Sequence, residues 1–181
     1  SLDDIDLVIS VDYGHGLITS KIVKHLTEKS MFLAVNTQLN SFNSSFHSIS
    51  KYPKSDYVCI HSGELRHDFR SRYDDEKTLM SDLYSKMKLN QLTVTKGKNG
   101  SLALVEGKLI SVPAFANKIM DRVGAGDSLL AITSLCAKKT VPGSVSLFLG
   151  NLYAASSVEN MGTENYSNKI NLLKSIKALM S

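Results

Sequence analysis

Apolar residues along the chain form short continuous runs, and stretches with helical periodicity lie between most of them. Short apolar runs bounded by turn residues are typical of buried strands. They predict strands over 6–11, 31–35, 57–60 and 91–95, and a hairpin of 101–105 with 108–112. The periodic stretches predict helices over 21–29, 63–70, 74–89, 124–139, 144–159 and 167–180, with Thr19 as the N-cap of the first.

Nearly continuous apolar strands that alternate with helices favour a mostly parallel sheet covered on both faces, and therefore an α/β fold. The 181 residues, of which 43% are hydrophobic, are enough for one substantial core, so we expect one domain over 1–181. The polar stretch 36–50 is expected to be a loop with a helical turn. Phe42, Phe46 and Tyr52 are expected to fill an edge of the core.

Composition narrows the classes of function. The formal net charge is only +4, and Lys and Arg are scattered, which argues against a nucleic-acid partner. No apolar run is long enough to cross a bilayer, so no membrane partner is expected. Cys59, Cys136 and the five histidines lack metal-site spacing, and the acidic residues at 74–76 are best explained as a solvated helix start. Buried thiols and the absence of a signal peptide favour the cytoplasm.

The segment from Asp121 to Asp127 carries the clearest chemical signal. Gly124, Ala125 and Gly126 lie at the mouth of an apolar helix, where small residues let backbone N–H groups approach an anion. Asp127 would lie in the first helical turn, where a carboxylate can accept a proton from a hydroxyl. Spacing alone leaves two interpretations open: a phosphate site with a catalytic base, or a tight turn with an acidic helix start.

The D-x-x-G-A-G-D pattern resembles the C-terminal signature of ribokinase-like (phosphofructokinase-B type) sugar kinases. The resemblance implies that Asp127 is the catalytic base and that the glycine turn is the anion hole. A second segment, 95–100, resembles the family's T-x-G-x-x-G nucleotide loop. The nucleotide-binding residues that the resemblance implies are Thr95, Gly97, Gly100, Asp121 and Asn151.

Further segments resemble the heptose-phosphate kinase half of bifunctional ADP-heptose synthases, with departures. Residues 12–16 resemble D-Y-G-K-G, with Asp12 on the substrate side and His15 in place of Lys. His61 to Glu64 stands where the family has N-x-x-E, whose Glu helps to organise magnesium. Residues 36–38 replace Asp-Pro-Lys, and Arg122-Val123 replaces Thr-Thr or Thr-Val.

The resemblance covers only the back portion of the family and implies an incomplete ribokinase-like fold that lacks the first strands and the lid. It implies ATP-dependent phosphorylation of a sugar or sugar-phosphate hydroxyl, with Mg²⁺. The isolated chain is expected to be inactive and to form a homo-dimer. The alternative is a degenerate nucleotide-binding or interaction module without turnover. A Rossmann dehydrogenase is a distant third, because residues 12–17 do not supply G-x-G-x-x-G.

Overall fold

The computed structural model describes residues 2–116, 124–159 and 169–180. The strands are β1 (Val8–Asp12), β2 (Leu33–Thr37), β3 (Tyr57–His61), β4 (Gln91–Thr95), β5 (Ser101–Val105) and β6 (Lys108–Val112). The helices are α1 (Ser20–Lys29), α2 (Ser62–Asp68), α3 (Glu76–Met87), α4 (Ala125–Lys138), α5 (Gly143–Glu159) and α6 (Lys169–Met180). Short 3₁₀ turns lie at Ile49–Lys51 and Gly97–Asn99. Asp121, Arg122 and Val123 lie outside the described residues.

One six-stranded sheet organises the molecule, with the order β1-β2-β3-β4-β5-β6. Strands β1 to β4 pair in parallel, and β5 pairs antiparallel with both β4 and β6. The predicted α/β class and mostly parallel sheet are therefore confirmed. Asp12 lies beside Thr37 in the register, and His61 lies beside Thr95. The ends of all four parallel strands therefore meet at one edge, which we call the carboxyl edge. In open α/β sheets this is the edge at which ligands bind.

The first core covers one face of the sheet. Every second strand residue, such as Leu33 and Val35 or Val58 and Ile60, points to this face, as the two-residue period of a strand requires. Helices α1, α2 and α3 cover the face with apolar side chains. Those that are buried are Val23, Leu65, Leu79, Met80, Leu83 and Met87. Burial of a side chain of this size contributes roughly 1.5–3 kcal/mol, so this layer fixes the helices over the sheet.

The second core covers the opposite face and carries α4. Ala34, Tyr57 and Cys59 of the sheet pack with Leu129 and Leu130 of α4. Burial raises the pKa of the Cys59 thiol to about 12. Because these side chains pack α4 against β3, they hold the N-terminus of α4 in a fixed position above the carboxyl edge.

Helix α5 packs closely against α4. Gly150 permits this approach, since a Cβ atom there would lie 2.6 Å from Cγ2 of Thr133. The Tyr57 hydroxyl donates to Oγ1 of Thr133 at 2.6 Å, and this hydrogen bond connects α4 to β3. No helix in the described ranges is both long and apolar enough to cross a membrane.

The segment between β2 and β3 differs from the prediction in one respect. Tyr52 is buried, as expected, but Phe42 and Phe46 are 86% and 74% exposed, so their predicted place in the core is wrong. The reason is that this segment packs on the end of β1 through polar groups. Asn40, Asn43 and His47 make those contacts and leave both phenyl rings outside.

Candidate functional site

The N-terminus of α4 is open to an anion. Gly124 is the N-cap residue with φ of 83°, a conformation that favours glycine, and no side chain of the described residues caps the helix. Within the described part of the chain, the N–H groups of Ala125, Gly126 and Asp127 have no hydrogen-bond partner. A Cβ atom built on Gly124 or Gly126 would meet no heavy atom within 4 Å. Unpaired donors below open space are what a phosphate group requires.

The Asp127 carboxylate is held beside these donors by two side chains from the carboxyl edge. The Tyr13 hydroxyl donates to Oδ2 at 3.2 Å, and Nε2 of Gln38 donates to Oδ1 at 3.2 Å. Burial, the charge of Asp127 and the hydrogen bond to it raise the pKa of Tyr13, so the phenol stays protonated and remains a donor. Tyr13 and Gln38 therefore fix the orientation of the carboxylate while leaving α4 open above it.

Asp12 is the last residue of β1, directly before Tyr13, and it is 2% exposed. Its carboxylate accepts from Nζ of Lys51 at 2.6 Å, from the Tyr52 hydroxyl at 3.0 Å and from the Gly14 amide at 3.0 Å. Burial raises the pKa of Asp12, but these hydrogen bonds and the Lys51 charge outweigh it and hold the pKa below its usual range. The predicted substrate-side residue thus has its oxygens engaged inside the protein, where it shapes the turn that carries Tyr13.

The segment after β2 joins the ends of β1 and β2. Nδ2 of Asn43 donates to the carbonyl oxygens of Tyr13 and Gln38, each at 2.9 Å. Gly14, with φ of 68°, passes so close to this segment that a Cβ atom would collide with Asn43 and His47. These contacts hold Tyr13 and Gln38 side by side, which explains how both reach Asp127.

Glu64, predicted to help to organise magnesium, belongs to the capping box of α2. Its Oε2 accepts from the His61 amide at 2.6 Å, and its Oε1 accepts from the Leu39 amide at 3.2 Å. Burial raises the pKa of Glu64, and the two amides partly offset that effect. Both oxygens are engaged by the backbone, so the geometry suits an indirect role: Glu64 ties the segment after Gln38 to the start of α2. The His61 ring accepts from the Gly63 amide at 3.0 Å.

Asn36 brings a buried acceptor to the site. Its Nδ2 donates to the Cys59 carbonyl at 2.8 Å, while its buried Oδ1 has no hydrogen-bond partner among the described residues. No cluster of three or more His, Cys, Asp or Glu side chains in the described ranges could hold a metal ion. The residues present therefore fit a Mg²⁺ ion that takes most of its ligands from phosphate groups and water, as protein-bound Mg²⁺ usually does.

The predicted nucleotide loop follows β4. Thr95 ends the strand, and Gly97 and Gly100 adopt φ of 56° and 80° in the turn that leads into β5. A Cβ atom on Gly97 would meet open space, whereas one on Gly100 would collide with the backbone at Val112. Gly97 therefore leaves the outer surface of the loop clear, and Gly100 lets the two strands of the hairpin approach.

An ion pair anchors this loop to the helix layer. Nζ of Lys96 lies 2.6 Å from Oε2 of Glu76, and the Ser62 hydroxyl donates to Oε1 of the same carboxylate. Burial raises the pKa of Glu76, but the bonds from Lys96 and Ser62 outweigh it and lower the pKa. The ends of β3 and β4 are thus joined through the first residue of α3.

Asn151, also predicted to bind nucleotide, is 6% exposed. Its Nδ2 donates to Oγ of Ser101 at 2.5 Å and to the Leu147 carbonyl at 2.8 Å. These contacts tie α5 to the first residue of β5. The amide nitrogen serves the packing of the helix behind the nucleotide loop.

Sequence reasoning placed Asp127 but missed the two side chains that hold it. Tyr13 and Gln38 follow β1 and β2 directly, and polar residues just after parallel strands share one edge of the sheet. That rule could have selected both residues. Lys51 and Glu76 carried no comparable signal, because nothing local in the sequence connects either residue to its partner.

Comparison with known proteins identifies the family. A model described as the pfkB family of carbohydrate kinases matches residues 18–170, which is most of the chain. The chain belongs to the pfkB family. Its matched range contains Gln38, the nucleotide loop and the α4 turn, whereas Asp12 and Tyr13 lie just before it.

The relatives of this pfkB-family chain include curated proteins named bifunctional protein HldE. The protein from Campylobacter fetus is 28% identical over 184 residues, a match that covers 98% of this chain and 39% of that protein. The protein from Helicobacter pylori strain HPAG1 is 26% identical over 166 residues and is covered to 35%. The chain therefore spans less than half the length of these relatives.

Solved structures share the fold at low sequence identity. Arabidopsis thaliana ribokinase, solved with ribose and ATP, superposes with a TM-score of 0.77 at 17% identity over 95% of this chain and 56% of that one. A ribokinase II from Escherichia coli gives 0.80 at 14% identity, covering 98% and 60%. The pfkB-family chain therefore has the ribokinase-like fold, and it spans little more than half of these proteins.

Proposed function

We propose that this chain supplies the nucleotide-binding and catalytic-base portion of an ATP-dependent kinase that phosphorylates a hydroxyl of a sugar or sugar phosphate. The family and the fold support sugar kinase activity in general terms. The observation that carries the finer proposal is the open N-terminus of α4 with the Asp127 carboxylate held beside it. Phosphoryl transfer depends mainly on positioning and charge stabilisation, and this arrangement offers both.

Each group has a role in this proposal. The amides of Ala125, Gly126 and Asp127 bind the oxygens of the transferring phosphoryl group, supported by the positive end of the helix. The Asp127 carboxylate orients the acceptor hydroxyl and removes its proton. Tyr13 and Gln38 fix the orientation of the Asp127 carboxylate through their hydrogen bonds to it. The Asp12–Lys51 pair stabilises the turn that carries Tyr13.

Magnesium, when bound with the nucleotide, neutralises charge on the phosphates. Glu64 contributes to its site indirectly, by holding the segment after Gln38 against α2. Thr95 and Gly97 border the phosphates from the side of β4, on the loop that Lys96 and Glu76 anchor. Asp121 lies outside the described residues, and its part in nucleotide binding remains a prediction.

Mg-ATP is expected to stabilise the chain, and a single charge at residue 126 is expected to remove that effect. At a hundredfold excess over its dissociation constant, ATP should add about 2.7 kcal/mol, or roughly 5–11 °C in melting temperature. Gly126→Glu places a like charge among the amides and should weaken binding at least tenfold. Gly126→Gln has nearly the same size without the charge and is the matched control. Thermal shift and isothermal titration measure both.

Neither variant should lose stability, because Gly126 lies in a helix with open space above its Cβ position. An acidic residue in the first turn even favours the helix. If ATP raises the melting temperature of Gly126→Glu as much as that of the unsubstituted chain, the nucleotide phosphates do not bind at this turn.

A degenerate module that binds nucleotide without turnover is the second candidate. The observations that favour it are His15 and His61 at positions where the related kinases carry Lys and Asn, and Asn36 where they carry Asp. His15 and His61 are engaged in local hydrogen bonds to Asn40 and Gly63. Binding of ATP by this chain joined to the acceptor-binding part, combined with absence of transfer to any sugar or sugar phosphate, would support this candidate.

We also propose that the isolated chain forms a homo-dimer along β1. This strand pairs with β2 alone among the described strands, and Ile9 on it is 38% exposed. Unpaired edge strands readily add another strand. Ile9→Lys is expected to shift the chain to monomer in size-exclusion chromatography with light scattering. Ile22→Lys, at a similarly exposed site on α1, should leave the dimer intact; equal effects of both changes would exclude β1 as the interface.

A further inference from the structure

A basic groove lies away from the α4 turn, between the end of α2 and the segment that leads into α3. Its volume is about 420 Å³. The side chains that line it are Arg66, His67, Arg70, Ser71 and Arg72. Three of the described residues that line this shallow, open surface are arginines, and none of them carries a carboxylate.

Stabilisation of α2 explains only part of this cluster. Arg66 and His67 lie in the last turn of the helix, where a positive charge favours the helix dipole. Arg70 and Arg72 lie beyond the end of the helix. In the described part of the chain, no acidic side chain comes within 4.0 Å of either guanidinium. Two positive charges are therefore left without a structural partner.

The carboxylates nearest in sequence are engaged elsewhere or lie outside the groove. Asp68 accepts from Ser50, with Nζ of Lys86 at 3.9 Å. Asp75 caps α3 by accepting from the Thr78 amide at 3.1 Å. Glu76 is paired with Lys96. Asp74 is exposed and does not line the groove. Glu76 also interacts electrostatically with Arg66, so within the described residues the charges left unpaired are those of Arg70 and Arg72.

The walls of the groove are held by hydrogen bonds. The Arg70 amide donates to the His67 carbonyl, and the Ser71 amide to the Arg66 carbonyl, each at 3.0 Å, in the two-bond pattern of a Schellman cap. Nη1 of Arg66 donates to the carbonyls of Arg72 at 3.3 Å and Asp74 at 3.0 Å. The backbone that carries Arg70 and Arg72 is therefore in place before any ligand arrives, which reduces the entropic cost of binding.

We propose that this groove is a second binding site, for a small molecule that carries a phosphate group. Guanidinium groups suit phosphate because their planar donors pair with two oxygens at once. The volume lies within the range of roughly 300–1,000 Å³ that is usual for small-molecule sites. The site is shallow and open to solvent, so the guanidinium charges rather than enclosure hold the phosphate group. The proposal is independent of nucleotide binding at the α4 turn.

Isothermal titration with glucose 6-phosphate tests the site, with glucose as the uncharged reference. The double variant Arg70→Asn/Arg72→Gln is expected to bind glucose 6-phosphate at least tenfold more weakly than the unsubstituted chain. Asn tolerates the left-handed φ of 50° at residue 70, and both arginines are exposed, so the variant should keep its melting temperature. Lys21→Gln/Lys29→Gln removes the same charge from exposed positions on α1 and should bind normally.

Several outcomes would overturn the proposal. An equal loss in both double variants would show that only net charge matters. A loss in Gly126→Glu, with normal binding by the arginine variant, would place glucose 6-phosphate at the α4 turn. No detectable binding by the unsubstituted chain, or tighter binding of a single-stranded oligonucleotide that depends on the same arginines, would also reject a site for small phosphate esters.

Discussion

Replacing Lys51 by Met is expected to lower the free energy of unfolding by about 3 kcal/mol, because it removes the lysine cation that is paired with the buried Asp12 carboxylate. Nζ of Lys51 lies 2.6 Å from Oδ2 of Asp12, and the Asp12 side chain is 3% exposed. We expect the lower end of the range for broken buried pairs, since Tyr52 and the Gly14 amide still donate to the carboxylate. Urea unfolding at neutral pH measures the change.

The pH dependence of this effect identifies its cause. The folded protein holds the pKa of Asp12 below its usual value of 3.8, so the stabilisation is present above that pH and is lost as the pH falls through the folded pKa. The difference between the unsubstituted chain and Lys51→Met should therefore persist from pH 8 to about pH 5 and shrink below about pH 3.8. Asp12→Asn combined with Lys51→Met should restore part of the stability.

The matched control is Lys54→Met, at an exposed position three residues away. It should change the free energy of unfolding by no more than about 0.5 kcal/mol. A loss in Lys51→Met that stays the same at pH 3 and pH 7 would mean that packing of the Lys51 stem, rather than its charge, stabilises the fold.

Replacing Asp127 by Asn is expected to lower phosphoryl transfer from ATP by about 10²–10⁴-fold, which is the usual contribution of a general base. The amide keeps the shape of the side chain but cannot take the proton of the acceptor hydroxyl. ADP release with a panel of sugars and sugar phosphates measures the change. The assay requires this chain joined to the acceptor-binding part that ribokinase-like kinases have, because we expect the chain alone to be inactive.

Measuring nucleotide binding distinguishes loss of the catalytic base from loss of the folded structure. Asp127→Asn should still be stabilised by Mg-ATP, since the amides at the start of α4 remain. Asp82→Asn, on the exposed surface of α3, should change neither binding nor turnover. Equal turnover by Asp127→Asn and the unsubstituted protein would remove Asp127 from the mechanism.

Much of the fold could be predicted because local sequence determines it. Short continuous apolar runs determine the strands. Thr19 is the N-cap of α1 and accepts a hydrogen bond from the Ile22 amide. The glycine turn begins α4 where predicted. Such features depend on neighbouring residues. They needed no knowledge of which distant side chains meet.

The rest of the site depends on contacts between distant residues. Tyr13 and Asp127 are 114 positions apart, and Lys51 and Asp12 are 39 apart. The acidic residues at 74–76 show the limit clearly. Asp75 does cap α3 as an acidic helix start should, but Glu76 is buried against Ser62 and Lys96 rather than solvated. No local pattern distinguishes these two carboxylates, because only the packing of β4 beside α3 gives one of them a cation.

The buried thiol of Cys59 offers a built-in reporter of motion at the site. It lies under Leu129 and Leu130 of α4, and burial raises its pKa to about 12. The thiol therefore resists alkylation while α4 is packed against the sheet. The rate at which iodoacetamide modifies Cys59 therefore measures how often α4 lifts from the sheet. A ligand that bridges α4 to the carboxyl edge should slow that reaction, which gives a readout of occupancy that requires no catalytic turnover.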